Sequence, residues 1–238
     1  MGKIEENMNI LAADSVDAKK IYTQAWEFFK ANWKLVYKAG LLFGVLTYVP
    51  QFTLDAILSA LQASEQDFLV AIVGLVVQVW QTIIGMGAII VFLDIIRNKH
   101  AAVVNLEVFF SQTSRFWLYI LASLRYTIII LIGFLLLIIP GIIWSIKYQF
   151  VFYLLVDKKL GVKEAFDVSA QMTEGIKWKI FVFGLFGFLI VIAGLLLLGV
   201  GLFIAFPVVT IASYMLYDRL LSRTKFGITQ EAIVGEIA

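Results

Sequence analysis

Cysteine is absent from this chain of 238 residues, and histidine occurs once, at His100. The first absence excludes disulfides, zinc–thiolate sites and cysteine nucleophiles. The second excludes a metal site built from several histidines. We therefore predict that the protein binds no metal and no cofactor.

Charged side chains are also few, and their signs nearly balance. Asp, Glu, Lys and Arg together make up 15% of the chain, and the formal net charge is +2. Nucleic-acid binding requires a concentrated positive surface, so this charge predicts no nucleic-acid partner.

Several enzyme motifs are missing from the sequence. It contains no Gly-x-Ser-x-Gly elbow, no His-Glu-x-x-His pair and no phosphate-binding loop ending in Gly-Lys-Ser/Thr. Tyr217-Asp218 matches one half of the intramembrane aspartyl protease signature, but Gly199-Val200-Gly201 is followed by leucine instead of aspartate. We therefore predict a non-enzymatic protein with no catalytic residues.

Apolar residues are abundant. They make up 61% of the chain, and the mean hydropathy is +0.93. A soluble domain contains about 45–50% apolar residues. A water-soluble core of this size cannot bury such an excess, so the composition predicts an integral membrane protein.

A unit that occurs three times organises the chain. Each copy has an amphipathic stretch, a Trp, a long apolar segment that reverses direction, and an Asp. A spacing of 40 residues separates Trp117 from Asp157 and also Trp178 from Asp218, whereas Trp33 and Asp94 are 61 residues apart. The pattern predicts three copies of an amphipathic helix followed by two crossing helices.

The predicted fold is therefore an all-α polytopic membrane protein with six transmembrane helices. They form three hairpins, and a cytoplasmic amphipathic helix precedes each hairpin. We predict a single membrane domain over 14–221, with repeats at 14–97, 101–158 and 160–219. A mobile N-terminal tail (1–13) and a cytoplasmic C-terminal tail (222–238) flank it.

Proline and glycine mark the expected turns and kinks, because proline lacks a backbone donor and glycine tolerates unusual dihedral angles. Pro140-Gly141 predicts the turn between arms 116–139 and 141–156, and Gly199 with Gly201 predicts the last turn. Pro50 lies inside the first crossing helix, and Pro207 predicts a kink in the sixth.

The distribution of basic residues predicts the orientation. Of the 19 Lys and Arg residues, 17 fall on one side if the chain crosses the membrane six times. The three connectors on the other side contain none. The positive-inside rule then places both termini and the amphipathic helices in the cytoplasm.

Two stretches resemble an uncharacterised family of bacterial multipass membrane proteins. The first is 138–143 (IIPGII), followed by Tyr148, Tyr153 and Asp157. The second is 169–179 (SAQMTEGIKWK), followed by 199–201 (GVG) and Pro207. The architecture is similar to the membrane domain of some glycerophosphoryl diester phosphodiesterases and to YciC-like inner-membrane proteins. The resemblance covers about 15–225. It implies a fold and a location in the plasma (inner) membrane of a bacterium, not an activity.

Polar side chains inside the apolar segments are the candidate functional residues, since an intramembrane charge usually faces the bundle interior or water. Arg125 and Lys147 are the two cations, and Asp55 lies at a depth that matches Lys147. These charges either snorkel and lock helices together, line a substrate or ion path, or bind a lipid headgroup. Gln78 and Gln81 favour interhelical hydrogen bonds over transport ligands.

Three functions remain open at this point. The first is a non-enzymatic membrane protein that assists envelope, lipid or transport processes and contacts anionic headgroups on its cytoplasmic face. The second is a small transporter or channel with a polar route near Arg125 and Lys147. The third, a lipid-acting enzyme, lacks a nucleophile or a cluster of acids. The sequence is compatible with a homo- or hetero-oligomer.

Overall fold

A computed structural model describes residues 16–63, 67–98, 104–197 and 199–224. These residues form helices and no strand. Tail 1–13, residues 64–66 of connector 62–67 and the tail beyond 224 lie outside the described residues. The helices are α1 (Ala18–Ala63), α2 (Asp67–Asn98), α3 (Leu106–Phe110), α4 (Phe116–Leu136), α5 (Ile138–Tyr148), α6 (Val151–Asp157), α7 (Val162–Thr173), α8 (Lys177–Leu196) and α9 (Leu202–Leu221).

Six segments of the described chain are helical, long and apolar enough to cross a membrane. They are Ala18–Ser59, Phe68–Asn98, Leu106–Leu136, Ile138–Asp157, Lys177–Leu196 and Leu202–Leu221. Each contains at least 20 residues, which is about the number needed to span the hydrocarbon core. An all-helical chain with six candidate spans confirms the coarse part of the predicted fold.

The chain divides into two compact units, with boundaries at Ala31/Asn32 and Trp117/Leu118. Unit 2 comprises Asn32–Trp117, and unit 1 comprises the rest. The first boundary coincides with a break in α1, because Asn32 has non-helical dihedral angles (φ −123°, ψ 17°). The single membrane domain inferred from the sequence stays a prediction.

Within unit 2, the proline in α1 has a specific partner on α2. Pro50 has no backbone N–H, so the carbonyl of Leu46 loses its helical donor. The indole Nε1–H of Trp80 donates to this oxygen at 2.7 Å. A side chain of the neighbouring helix therefore satisfies the carbonyl that Pro50 leaves open.

The contact between α2 and α3 in unit 2 depends on one glycine. A Cβ atom at Gly87 would lie 2.1 Å from the carbonyl oxygen of Phe109 and 2.3 Å from its Cα. Phe109 is fully buried, and Asn105 caps the short α3 by accepting the Val108 N–H at 3.1 Å. Only a residue without a side chain allows this backbone approach.

The core of unit 1 lies among α6, α7, the second half of α9 and the start of α1. Its largest fully buried side chains are Ile21, Leu154, Phe166, Met172, Ile211, Leu216 and Tyr217. By contrast, large apolar side chains are exposed along 131–143 and 185–206. The unit thus has one well-packed end and one end whose apolar surface suits a lipid environment.

The reversal between α4 and α5 lies three residues before the predicted turn. Leu137 is the extended residue (φ −171°, ψ 157°), whereas Pro140 lies in the first turn of α5. Proline is tolerated there because a first-turn N–H has no partner within the helix. The second arm, predicted to run over 141–156, is itself interrupted between Tyr148 and Val151.

Glycines let two helix pairs approach closely. A Cβ at Gly133 would lie 2.9 Å from the Cα of Gly141, and a Cβ at Gly201 would lie 2.7 Å from the Cα of Gly194. Gly199 has φ +78°, so it is the residue of the last turn whose backbone conformation favours glycine. Gly141 and Gly201 serve the contact between helices instead.

Two of the predicted amphipathic stretches differ from the structure in extent. The first is continuous with the following helix in α1, apart from the break at Asn32, and it buries Ile21, Tyr22 and Phe29. The second is the stretch that begins the repeat 101–158. Within its described part it contains only α3 and a 3₁₀ turn at Thr113–Arg115.

Candidate functional site

The interruption between α5 and α6 lies inside a candidate span, Ile138–Asp157. Ser169 on α7 donates its hydroxyl to the carbonyl oxygen of Lys147 at 2.9 Å. Thr173 lies 3.5 Å from the same oxygen. Both hydroxyl residues are fully buried. Helix α7, which lies outside the candidate spans, therefore supplies a hydrogen-bond donor to the Lys147 carbonyl at the interruption. A backbone carbonyl in a low-dielectric environment needs such a partner.

Helix α7 packs against α5 and α6 through one face. The 3.6-residue period places Val162, Phe166, Ser169, Met172 and Ile176 on this face, and all of them are buried except Val162, which is half-buried. The opposite side is exposed and carries Lys163, Glu164, Asp167, Gln171 and Glu174. Other helices of the chain cover much of the apolar face of α7.

The end of α7 is held by an arginine that follows α9. Arg223 donates from Nη1 to the carbonyl oxygen of Met172 at 3.1 Å and from Nη2 to that of Glu174 at 3.4 Å. A cation at a helix C-terminus also interacts favourably with the helix dipole. Burial lowers the pKa of Arg223, and the charge of Glu174 opposes this shift. The arginine stays protonated.

Arg125 and Lys147, the cations predicted inside the apolar segments, meet aromatic rings. The guanidinium carbon of Arg125 lies 4.4 Å from the centroid of the Phe166 ring. The Nζ of Lys147 lies 5.2 Å from the centroid of the Tyr148 ring. The two rings are 5.0 Å apart. The two cations thus each contact one ring of the same aromatic pair, Tyr148–Phe166.

Neither cation forms an ion pair within the described part of the chain, where no carboxylate oxygen lies within 4.0 Å of them. Arg125 is exposed and Lys147 is half-buried. Cation–π contacts contribute about 0.5–2 kcal/mol and do not neutralise charge. The two side chains together can therefore attract an anion.

The predicted partner of Lys147, Asp55, belongs to the other unit, so this pairing stays a prediction. Within unit 2, Asp55 accepts a hydrogen bond from Gln51 Nε2 at 2.8 Å. Gln51 accepts in turn from Gln81, so Gln81 forms an interhelical bond. The side chain of Gln78 is exposed, and its carbonyl accepts from Thr82.

Sequence reasoning missed a cluster of tyrosines near Asp157. The ring of Tyr153 lies 5.1 Å from the rings of Tyr214 and Tyr217, and the Tyr217 hydroxyl donates to Asp157 Oδ2 at 2.9 Å. Lys158 Nζ lies 3.7 Å from the same oxygen. The spacing of Tyr214 and Tyr217 places them on one helix face, but it does not indicate what they contact.

Comparison with known proteins found no matching family model, no matching curated protein and no matching solved structure. The features left to interpret in the described part of the chain are six segments suited to a membrane and two cations beside an aromatic pair.

Proposed function

We propose that the protein is a non-enzymatic multipass protein of a bacterial inner membrane that contacts anionic lipids and assists lipid or transport processes. Its six crossings form three hairpins as a repeat, and both termini are cytoplasmic. The observation that carries the proposal is the pair of cations, Arg125 and Lys147, which have ring contacts but no carboxylate among the described residues.

The position of the cations supports a lipid phosphate as their anion. Arg125 lies nine residues beyond the start of α4, about 14 Å along the helix axis. Lys147 lies ten residues before the end of α6. Arginine and lysine at such depths extend their charged ends toward the headgroup region. A phosphate there meets both charges.

A small transporter remains the second candidate, and the interruption between α5 and α6 favours it. Discontinuous spans form the binding sites of many transporters, where free backbone groups coordinate the substrate. Here Ser169 and Thr173 occupy the Lys147 carbonyl, which leaves this oxygen less available to a solute. Anion flux into proteoliposomes that depends on both cations would support transport over lipid binding.

The lipid proposal predicts a difference in thermal stability between two lipids. Purified protein should be more stable in phosphatidylglycerol nanodiscs than in phosphatidylcholine nanodiscs. The double variant Arg125→Gln/Lys147→Gln should lose most of this difference. Each cation near an anionic surface contributes about 1 kcal/mol, and 1 kcal/mol corresponds to about 2–4 °C in Tm for a chain of this size.

Lys163→Gln is the matched control, because Lys163 is an exposed cation on the polar face of α7. It removes a charge from the same region without touching the aromatic pair. The proposal fails if the double variant keeps the full difference between the lipids, or if Lys163→Gln removes as much of it.

A further inference from the structure

Two cavities of unit 1 lie along α8, beside the start of α1, and α9 also lines the second of them. The first has a volume of about 450 Å³, and Asp17, Lys19, Trp178, Lys179, Val182 and Phe186 are among its lining residues. The second has a volume of about 330 Å³, and its lining includes Tyr22, Trp26, Ile190, Ala193, Gly194 and Gly201. Basic residues line the first cavity, whereas the second is apolar.

The two cavities are in line along α8. Apart from Trp178 and Gly194, their lining residues on this helix and at its C-cap recur every three or four positions, which places them on one helix face. These residues are Lys179, Val182, Phe186, Ile190, Ala193 and Leu197. One helical turn separates Phe186 from Ile190. We call this continuous face, with the first three turns of α1 beside it, the α1–α8 furrow.

The furrow is positive at one end. Lys19 and Lys179 line the first cavity together with Asp17. The Asp17 carboxylate accepts the backbone N–H of Lys20 at 3.2 Å and also interacts electrostatically with Arg219. The charge of this acid is thus shared with Arg219, and Lys19 and Lys179 are the basic side chains that line this cavity. Trp178, 73% exposed, has the character of a residue at a membrane interface.

The other end of the furrow offers only apolar contact. The hydroxyl of Tyr22 donates to the carbonyl oxygen of Phe183 at 3.2 Å, so the polar atom of this lining residue is already bonded. The rest of the wall is apolar, because Ile190, Ala193, Leu197, Ile204, Ala205 and Val208 line it.

We infer that the α1–α8 furrow holds one anionic phospholipid, with its phosphate between Lys19 and Lys179 and an acyl chain along α8 toward Ala193. Half of a bilayer of about 40–45 Å gives a lipid roughly 20–22 Å long. This length corresponds to about 14 residues of helix, which is the separation of Lys179 from Ala193. The inference rests on the proposed lipid contact but places it at different residues.

Native mass spectrometry of the full chain tests the inference. The protein is reconstituted in vesicles of equimolar phosphatidylglycerol and phosphatidylcholine, solubilised, and analysed for retained lipid. We expect one retained phosphatidylglycerol per chain. Lysines near an anionic surface each contribute about fivefold to affinity, so Lys19→Gln/Lys179→Gln should lower the ratio of phosphatidylglycerol to phosphatidylcholine about 25-fold.

A pair of adjacent variants tests the apolar end of the furrow. Ile190→Trp fills the second cavity and should abolish retention. Leu189→Trp adds the same ring one position away, at a residue that is 53% exposed and does not line the furrow, and it should retain the lipid. Equal retention of both lipids by the native protein, or native retention by Ile190→Trp, would overturn the inference.

A third variant separates this inference from the proposed function. Arg125→Gln/Lys147→Gln should leave the furrow lipid in place even where it removes the stability difference between nanodiscs. Loss of the retained lipid in that variant alone would place the lipid at the cation pair and overturn the furrow. If Ile190→Trp fails to fold, the lysine variants still test the inference. Lys19 is exposed and Lys179 is half-buried, so replacing them should not prevent folding.

Discussion

Gly87→Ala should strongly destabilise unit 2, whereas Gly85→Ala should leave its stability unchanged or raise it. The added Cβ at position 87 would lie 2.1 Å from a backbone oxygen of Phe109, which cannot move without displacing α3. Overpacking of a well-packed core typically costs about 1–3 kcal/mol, and we expect the upper end here because the obstacle is backbone.

Gly85 is the matched control, because it lies in the same helix and a Cβ there meets no atom within 4 Å. Alanine is favoured over glycine in a helix interior by about 0.5–1 kcal/mol, so this variant gains stability if anything. Thermal unfolding in detergent measures both. Equal melting temperatures for the two variants would show that α3 does not pack on Gly87.

Trp80→Phe should be the second strongly destabilising change, and its effect should depend on Pro50. Phenylalanine keeps an aromatic ring but removes the N–H that the Leu46 carbonyl accepts. A buried polar group left without a partner costs about 1–3 kcal/mol. In Pro50→Ala, the new backbone N–H at position 50 can bond to the Leu46 carbonyl within the helix, so the carbonyl no longer needs the indole.

A double-mutant cycle measures this dependence. Trp80→Phe should destabilise the native chain more than it destabilises the Pro50→Ala chain, and the difference is the coupling free energy. Unfolding in detergent is measured for the native chain, the two single variants and the double variant. These measurements give the four free energies of unfolding that the cycle needs. Additive effects would mean that Trp80 contributes by ring packing alone.

The coarse fold could be predicted from the sequence because it follows from composition and segment length. The apolar excess and the lengths of the apolar runs predict six candidate spans, and six are present. The role of individual glycines could not be predicted in the same way. Gly141 and Gly201 stand next to expected turns, but their neighbours across the helix pairs become visible only in three dimensions. Gly87 stands out in no sequence pattern.

Only part of the candidate site could be predicted from the sequence. Arg125 and Lys147 stand out as charges within apolar runs, and the helical period predicts the buried face of α7. The contact of Phe166 with Arg125 and the bond from Ser169 to the Lys147 carbonyl depend on how α7 packs against α5 and α6. Residues distant in sequence make these contacts, so local pattern does not indicate them.

Cysteine labelling in intact cells tests the central claim most directly, namely a six-crossing protein whose termini and basic surfaces are cytoplasmic. The chain has no native cysteine, so single cysteines at Ser64, Lys99, Lys159 and Ser222 report four separate positions. An impermeant maleimide should label only the Ser64 variant in intact cells, and all four after permeabilisation. Labelling of the Lys99, Lys159 or Ser222 variant in intact cells would contradict the topology, and with it the cytoplasmic lipid contacts proposed for Arg125 and Lys147.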